Sequence, residues 1–151
     1  MSIRNRLEDA QILWNAGRLE GAFVSALIAV AATARRSFPS QKSDRQAFED
    51  FLDQGWFKKM HVEYRGDLHP MCHIFYKWFR CELIHEGELP VDVEIVPDSK
   101  PGLLGIRAGG APEFVLQVSQ AWFHELVGTV IRADVNRELL HKQSENSSKV
   151  N

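Results

Sequence analysis

Residues 70–86 constrain this fold more than any other stretch. Pro70 suits the first position of a helix, where its missing N–H is not needed, and Gly87 suits the residue just past the end. Between them Ile74, Phe75, Tyr76, Trp78, Phe79, Cys81, Leu83 and Ile84 point in every direction at about 100° per residue. A rod that is apolar all round has no broad polar face to offer water, so other segments must cover it on most sides. Its charged groups Arg80, Glu82, His85 and Glu86 gather in the last two turns. Charge at the end of a buried rod is expensive to desolvate unless it has a partner or a task.

A chain of 151 residues can bury a core of this kind within one domain, here read as 1–142 followed by a polar tail at 143–151 that is expected to be disordered. The 44% hydrophobic and 25% charged fractions are those of a soluble globular protein. Eighteen Lys and Arg face twenty Asp and Glu, a net charge of -2, so any contact with nucleic acid needs a local basic patch. Cys72 and Cys81 lie nine apart on the same helix, which does not place them for a bridge and favours a reduced compartment. No segment has the pattern of a secretory signal, and the apolar run 22–34 is too short to span a bilayer. A cytoplasmic protein without membrane partners is expected.

Apolar residues at three-and-four spacing predict helices over 2–16, 18–38 and 43–54, the second rich in alanine and the third burying Ala47, Phe48, Phe51 and Leu52. Arg35 and Arg36 suit the C-terminal end of the second helix dipole, and Pro39 stops it. Trp56 and Phe57 read as an aromatic anchor, and 60–68 reads as a loop. After Gly87 the pattern changes to short alternating runs at 91–96, 103–107 and 113–118, separated by turn formers. Ser119 is a good N-cap for a last helix over 120–141. The expected fold is therefore mainly α: an antiparallel helical bundle with a small antiparallel β hairpin or three-stranded meander inserted at about 91–118, before the last helix.

Three features together resemble the HEPN superfamily: the bundle, the alanine-rich second helix 21–31, and the run Arg80-Cys81-Glu82-Leu83-Ile84-His85 near the end of a buried helix. The resemblance covers the helical parts of 4–140. It implies a metal-independent endoribonuclease of toxin or defence type, with no cofactor, an antitoxin as a partner protein, and a homodimer formed through helix 70–86. Arg80 and His85 would be its catalytic residues, supported by Glu82, Glu86, Cys81 and Tyr76. RNA brings its own nucleophile, the 2′-hydroxyl, so such an enzyme needs a group that exchanges a proton near neutral pH and a permanent cation. Imidazole and guanidinium fit those roles. On a regular α-helix the two residues stand about 140° apart, so a second copy of the helix across a two-fold axis would bring both to one phosphate. HEPN patterns usually carry a polar residue, often Asn, after the Arg; Cys81 offers only a feeble donor there. Other members of the superfamily are non-catalytic interaction or nucleotide-binding modules, the competing reading here.

Plainer readings exist for the same residues. The plain expectation for Arg80 and His85 is an ion pair with Glu82 or Glu86 that closes the bundle. Cys81 and His85 are helical neighbours, yet a cysteine among apolar residues is usually core. His69, Cys72, His73, Cys81 and His85 lack the short ligand spacings of structural zinc sites, so no metal is expected.

Overall fold

The small side chains of helix α2 (Leu19–Ser37) let its neighbours approach closely: Ala22, Ala26, Ala29 and Ala34 are all buried. In this computed structural model residues 2–41, 43–55, 60–109 and 115–141 are described. Helix α1 (Ile3–Asn15) runs beside α2 and begins where the Asn5 N–H donates to Ser2 Oγ. Helix α3 (Asp44–Gly55) buries the expected stripe of Ala47, Phe48, Phe51 and Leu52. Arg35 holds the α2–α3 corner through Asp44 (3.2 Å) and the carbonyl of Gln41 (2.8 Å), which is the helix-end role its position suggested.

The predicted apolar rod is present as α4 (71–85), with three local geometries: α over Met71–Ile74, π over Phe75–Cys81 and α again over Glu82–His85. Pro70 stands just outside it with extended backbone, ψ 148°. A chain of rings fastens the rod. Trp14 of α1 stacks on Phe123 at 4.3 Å; Phe123 meets Phe23 of α2, Phe23 meets Phe79, Phe79 meets Phe75, and Phe75 meets Trp122. Phe123 and Trp122 lie on α5 (Ala121–Arg132), so α1, α2, α4 and α5 share one core.

Residues 60–68 do not form the expected loop. They build most of a hairpin, β1 (His61–Tyr64) and β2 (Asp67–Pro70), paired antiparallel from His61↔Pro70 to Tyr64↔Asp67. The turn between them has positive φ at both Arg65 (52°) and Gly66 (86°), as tight hairpin turns of the right twist require. Arg is an unusual occupant of that conformation, where Asn or Asp is the recognisable signal.

The second sheet corrects the meander. Strands β3 (Val93–Val96), β4 (Ile106–Gly109) and β5 (Val115–Ser119) lie in the order β3-β5-β4, with β3 parallel and β4 antiparallel to β5. The most deeply buried strand takes the centre, where Leu116 and Val118 are wholly buried. Ser119 is the last residue of β5 and not a helix cap: its Oγ accepts the Gly105 N–H and donates to the Leu103 carbonyl. Asp98 does the capping instead, accepting the Ala121 N–H at 2.7 Å.

The last helix is also shorter than its apolar periodicity implies. It stops at Arg132, Ala133 is extended, and a 3₁₀ turn (Asp134–Asn136) leads into α6 (Arg137–His141). The break turns Asn136 into the core, where its Nδ2 donates to Thr33 Oγ1 (3.0 Å) and to the Val130 carbonyl (2.9 Å). The expectations for Trp56, Phe57 and the tail 143–151 fall outside the described residues. Asn136→Ala removes two buried hydrogen bonds and should lower stability by about 1–3 kcal/mol, read from urea midpoints; an unchanged midpoint would show that the break is not held by this residue.

Candidate functional site

Helix α4 is covered by its own chain everywhere except along one strip. Met71 to Phe75, Trp78, Phe79 and Leu83 are buried, whereas Tyr76, Arg80 and Cys81 are half-exposed and Lys77, Ile84 and His85 are exposed. The open positions fall in pairs, 76/77, 80/81 and 84/85, four residues apart, with half-exposed Glu82 widening the strip toward its C-terminal end. A four-residue step is close to one turn in both α and π geometry, so the pairs line up along the rod. Arg80 stands on one margin of this strip and His85 on the other, one turn further on. Only the first of the five steps from Arg80 to His85 lies in the π stretch, so their separation around the axis stays close to the regular-helix value of about 140° and they face opposite sides of the strip.

Arg80 is positioned by aromatic contact. Its guanidinium lies over the Tyr76 ring at 5.5 Å, and Tyr76 in turn meets Phe48 of α3 edge-on at 5.4 Å. Burial pushes the Tyr76 phenol up, which keeps it neutral beneath the cation. The Arg80 Nε–H is buried and has no acceptor among the described residues. Such a donor is destabilising by about 1–3 kcal/mol until something accepts from it. His85 and Glu86 sit in solvent and Glu82 is half-exposed. Among the described residues no ion pair links Arg80 or His85 to Glu82 or Glu86, so the plain bundle-closing reading has no bond to rest on.

Beside the first turns of α4 lies a second cluster that the sequence pattern does not signal. His73 is buried and its Nδ1 pairs with Glu49 of α3 at 2.5 Å. The ring of His69, on β2, stacks on His73 at 5.5 Å, and Trp78 stands edge-on to both histidines and to Tyr64. Burial, then the neighbouring His73 charge, pulls the His69 pKa down. Cys72 faces Asp53 at 3.8 Å, and its thiol is pushed up to about 12 by burial and by the Asp53 and Glu49 carboxylates. That makes Cys72 a packing residue rather than a nucleophile.

A third group ties the hairpin to the chain beyond α4. Arg65 grips Asp92 with two bonds of 2.8 and 2.9 Å, and the Tyr64 hydroxyl donates to the same carboxylate at 2.7 Å. The Arg65 hydrogen bonds hold the Asp92 carboxyl below its ordinary value, and burial together with Asp92 raises the Tyr64 phenol. Tyr64 and Arg65 had no visible partner in the sequence, because Asp92 lies 27 residues beyond Arg65.

Cavities lie elsewhere: one of about 350 Å³ opens between the C-terminal ends of α2, α3 and α5, lined by Phe51, Gln54, Thr129 and Arg132 among others. Among the described residues no group of three or more His, Cys, Asp or Glu side chains could hold a metal ion, and no helix is long and apolar enough to cross a membrane. Fold and site together define a mainly helical protein with two small sheets and one uncovered helical strip. No family model, no curated protein and no solved structure matches the chain.

The Asp92 clamp sets a pH dependence. A carboxyl with a depressed folded pKa contributes stability above its ordinary 3.8 and loses it as pH falls through the depressed value. Asp92→Asn should therefore lower stability at neutral pH by about 1 kcal/mol, a figure kept small because half of Arg65 is exposed, and the two proteins should converge as the pH falls below the ordinary carboxyl value of 3.8. Urea midpoints across that range give the comparison; parallel curves would mean the clamp does not titrate.

Proposed function

We propose that this chain is a HEPN-like, metal-independent endoribonuclease that works as a homodimer paired through α4. The observation that carries the proposal is the open strip: on a helix mostly covered by its own chain, the uncovered strip has Arg80 on one margin and His85 on the other. Half-exposed Tyr76 and Cys81 and exposed Ile84 give it an apolar centre for a second copy to cover. Two-fold pairing would set Arg80 of one copy near His85 of the other.

The chemistry then needs few parts. His85 takes the proton of a ribose 2′-hydroxyl, and the freed oxygen attacks the adjacent phosphorus. Arg80 neutralises the extra negative charge on the five-coordinate phosphorus through a two-toothed grip. The bond to the 5′-oxygen breaks as a protonated imidazole, the partner's copy or the same one, returns a proton to it. The products are a 2′,3′-cyclic phosphate and a 5′-hydroxyl end, so no metal or cofactor enters the balance.

Cys81 favours the second reading, a non-catalytic HEPN-like interaction or nucleotide-binding module that uses the same strip. In that case the polar position after the Arg has been given up and Cys81 serves the interface. Incubation with structured RNA in chelator separates the two. Under the nuclease reading the parent cleaves, and His85→Ala and Arg80→Ala each lose about 10²–10⁴ of the rate with melting temperatures nearly unchanged. Background cleavage by parent and variants alike would remove it. Ile84→Glu should convert the dimer to monomer in sedimentation; a parent that is already monomeric would remove the pairing in both readings.

A further inference from the structure

The outer face of the three-stranded sheet carries a polar row that the proposed cleavage does not use. Strand register sets Glu94 of β3 beside Gln117 of β5, and Gln117 beside Arg107 of β4. The pleat turns the alternate residues Leu116 and Val118 into the core, so this row faces outward. Strand spacing places the two ends of the row about 10 Å apart at Cα. Gln117 Nε2 donates to Glu94 Oε1 at 2.5 Å, which fixes the amide and leaves the second carboxylate oxygen open. Arg107 is exposed and makes no ion pair among the described residues. Hollows of about 310 and 340 Å³ flank the row and share Arg107 and Gln117, with the small residues Gly105, Ser119, Gly109 and Val115 among their linings. Such volumes are at the low end of those that take small ligands.

We propose that this row recognises the base edge of guanine in single-stranded RNA. From β4 to β3 it offers a forked pair of donors, an amide donor and a carboxylate acceptor. Guanine presents the complement in the same sequence: N7 and O6 accept from Arg107, the second Gln117 N–H reaches O6, and N1–H and the 2-amino group donate to Glu94. Adenine turns its 6-amino group against the guanidinium and its N1 lone pair against the carboxylate. Cytosine likewise aims N3 at Glu94. Uracil satisfies Glu94 with N3–H and has O4, but it lacks the N7 partner. The choice of RNA as carrier rests on the nuclease reading; the base recognition itself does not.

Calorimetric titration of the full chain with GMP, UMP, AMP and CMP tests it. GMP should bind about tenfold or more tightly than AMP or CMP, with UMP between, and Arg107→Ala or Glu94→Gln should each lose about tenfold for GMP. Arg107→Lys keeps the charge without the fork and should bind the four nucleotides nearly alike. His85→Ala should leave GMP binding unchanged. No binding at millimolar GMP, equal binding of all four nucleotides by the parent, or an Arg107→Ala protein that folds and binds GMP as the parent does would each overturn the proposal. GMP selectivity without RNA cleavage leaves this row standing while the nuclease reading falls, and cleavage without selectivity does the reverse.

Discussion

The ring-to-ring packing that buries α4 is what everything else in this molecule leans on. Phe75 and Phe79 sit at no measurable exposure between Phe23 of α2 and Trp122 of α5, and each such side chain removes a large apolar area from water. Because so much of the rod is committed to the core, the part left uncovered is narrow and well placed. An open strip on a helix held this firmly keeps its side chains in a fixed relation, which a loop of the same composition would not do.

The hairpin extends that control to both ends of the rod. β2 runs directly into the first residue of α4, where His69, His73 and Trp78 pack ring against ring. Its turn then reaches across to Asp92, beyond the rod's C-terminal end, through Tyr64 and Arg65. One small element therefore ties the segment that enters α4 to the segment that leaves it. The exposed end that carries His85 is bracketed by this tie.

Most of the helical frame was legible from periodicity, since a stripe such as Ala47, Phe48, Phe51 and Leu52 states which side is buried without reference to any partner. The misses share a physical cause. Arg65-Gly66 makes a hairpin turn without the Asn or Asp that usually announces one. Asn136 ends a helix by being buried, a polar residue whose partners Thr33 and Val130 are set by folding. Asp98 caps α5 from 23 residues away, and no local rule could prefer it over the adjacent Ser119. The candidate site was half legible: the run from Arg80 to His85 stood out by composition, while the Glu49–His73 pair and the Tyr64–Arg65–Asp92 clamp join residues far apart along the chain.

Left to itself, the amino-acid order determined that 70–86 must be a buried helix, because residues apolar on every side have nowhere else to go. It also determined that Arg80 and His85 would be carried at that helix's end. Only the folded chain decided which side of the rod stays open, since coverage depends on where α2, α3, α5 and the hairpin come to rest. It also decided that seven residues would take the wider π turn, which keeps the open positions four residues apart in step along the rod and leaves Arg80 and His85 on its two margins.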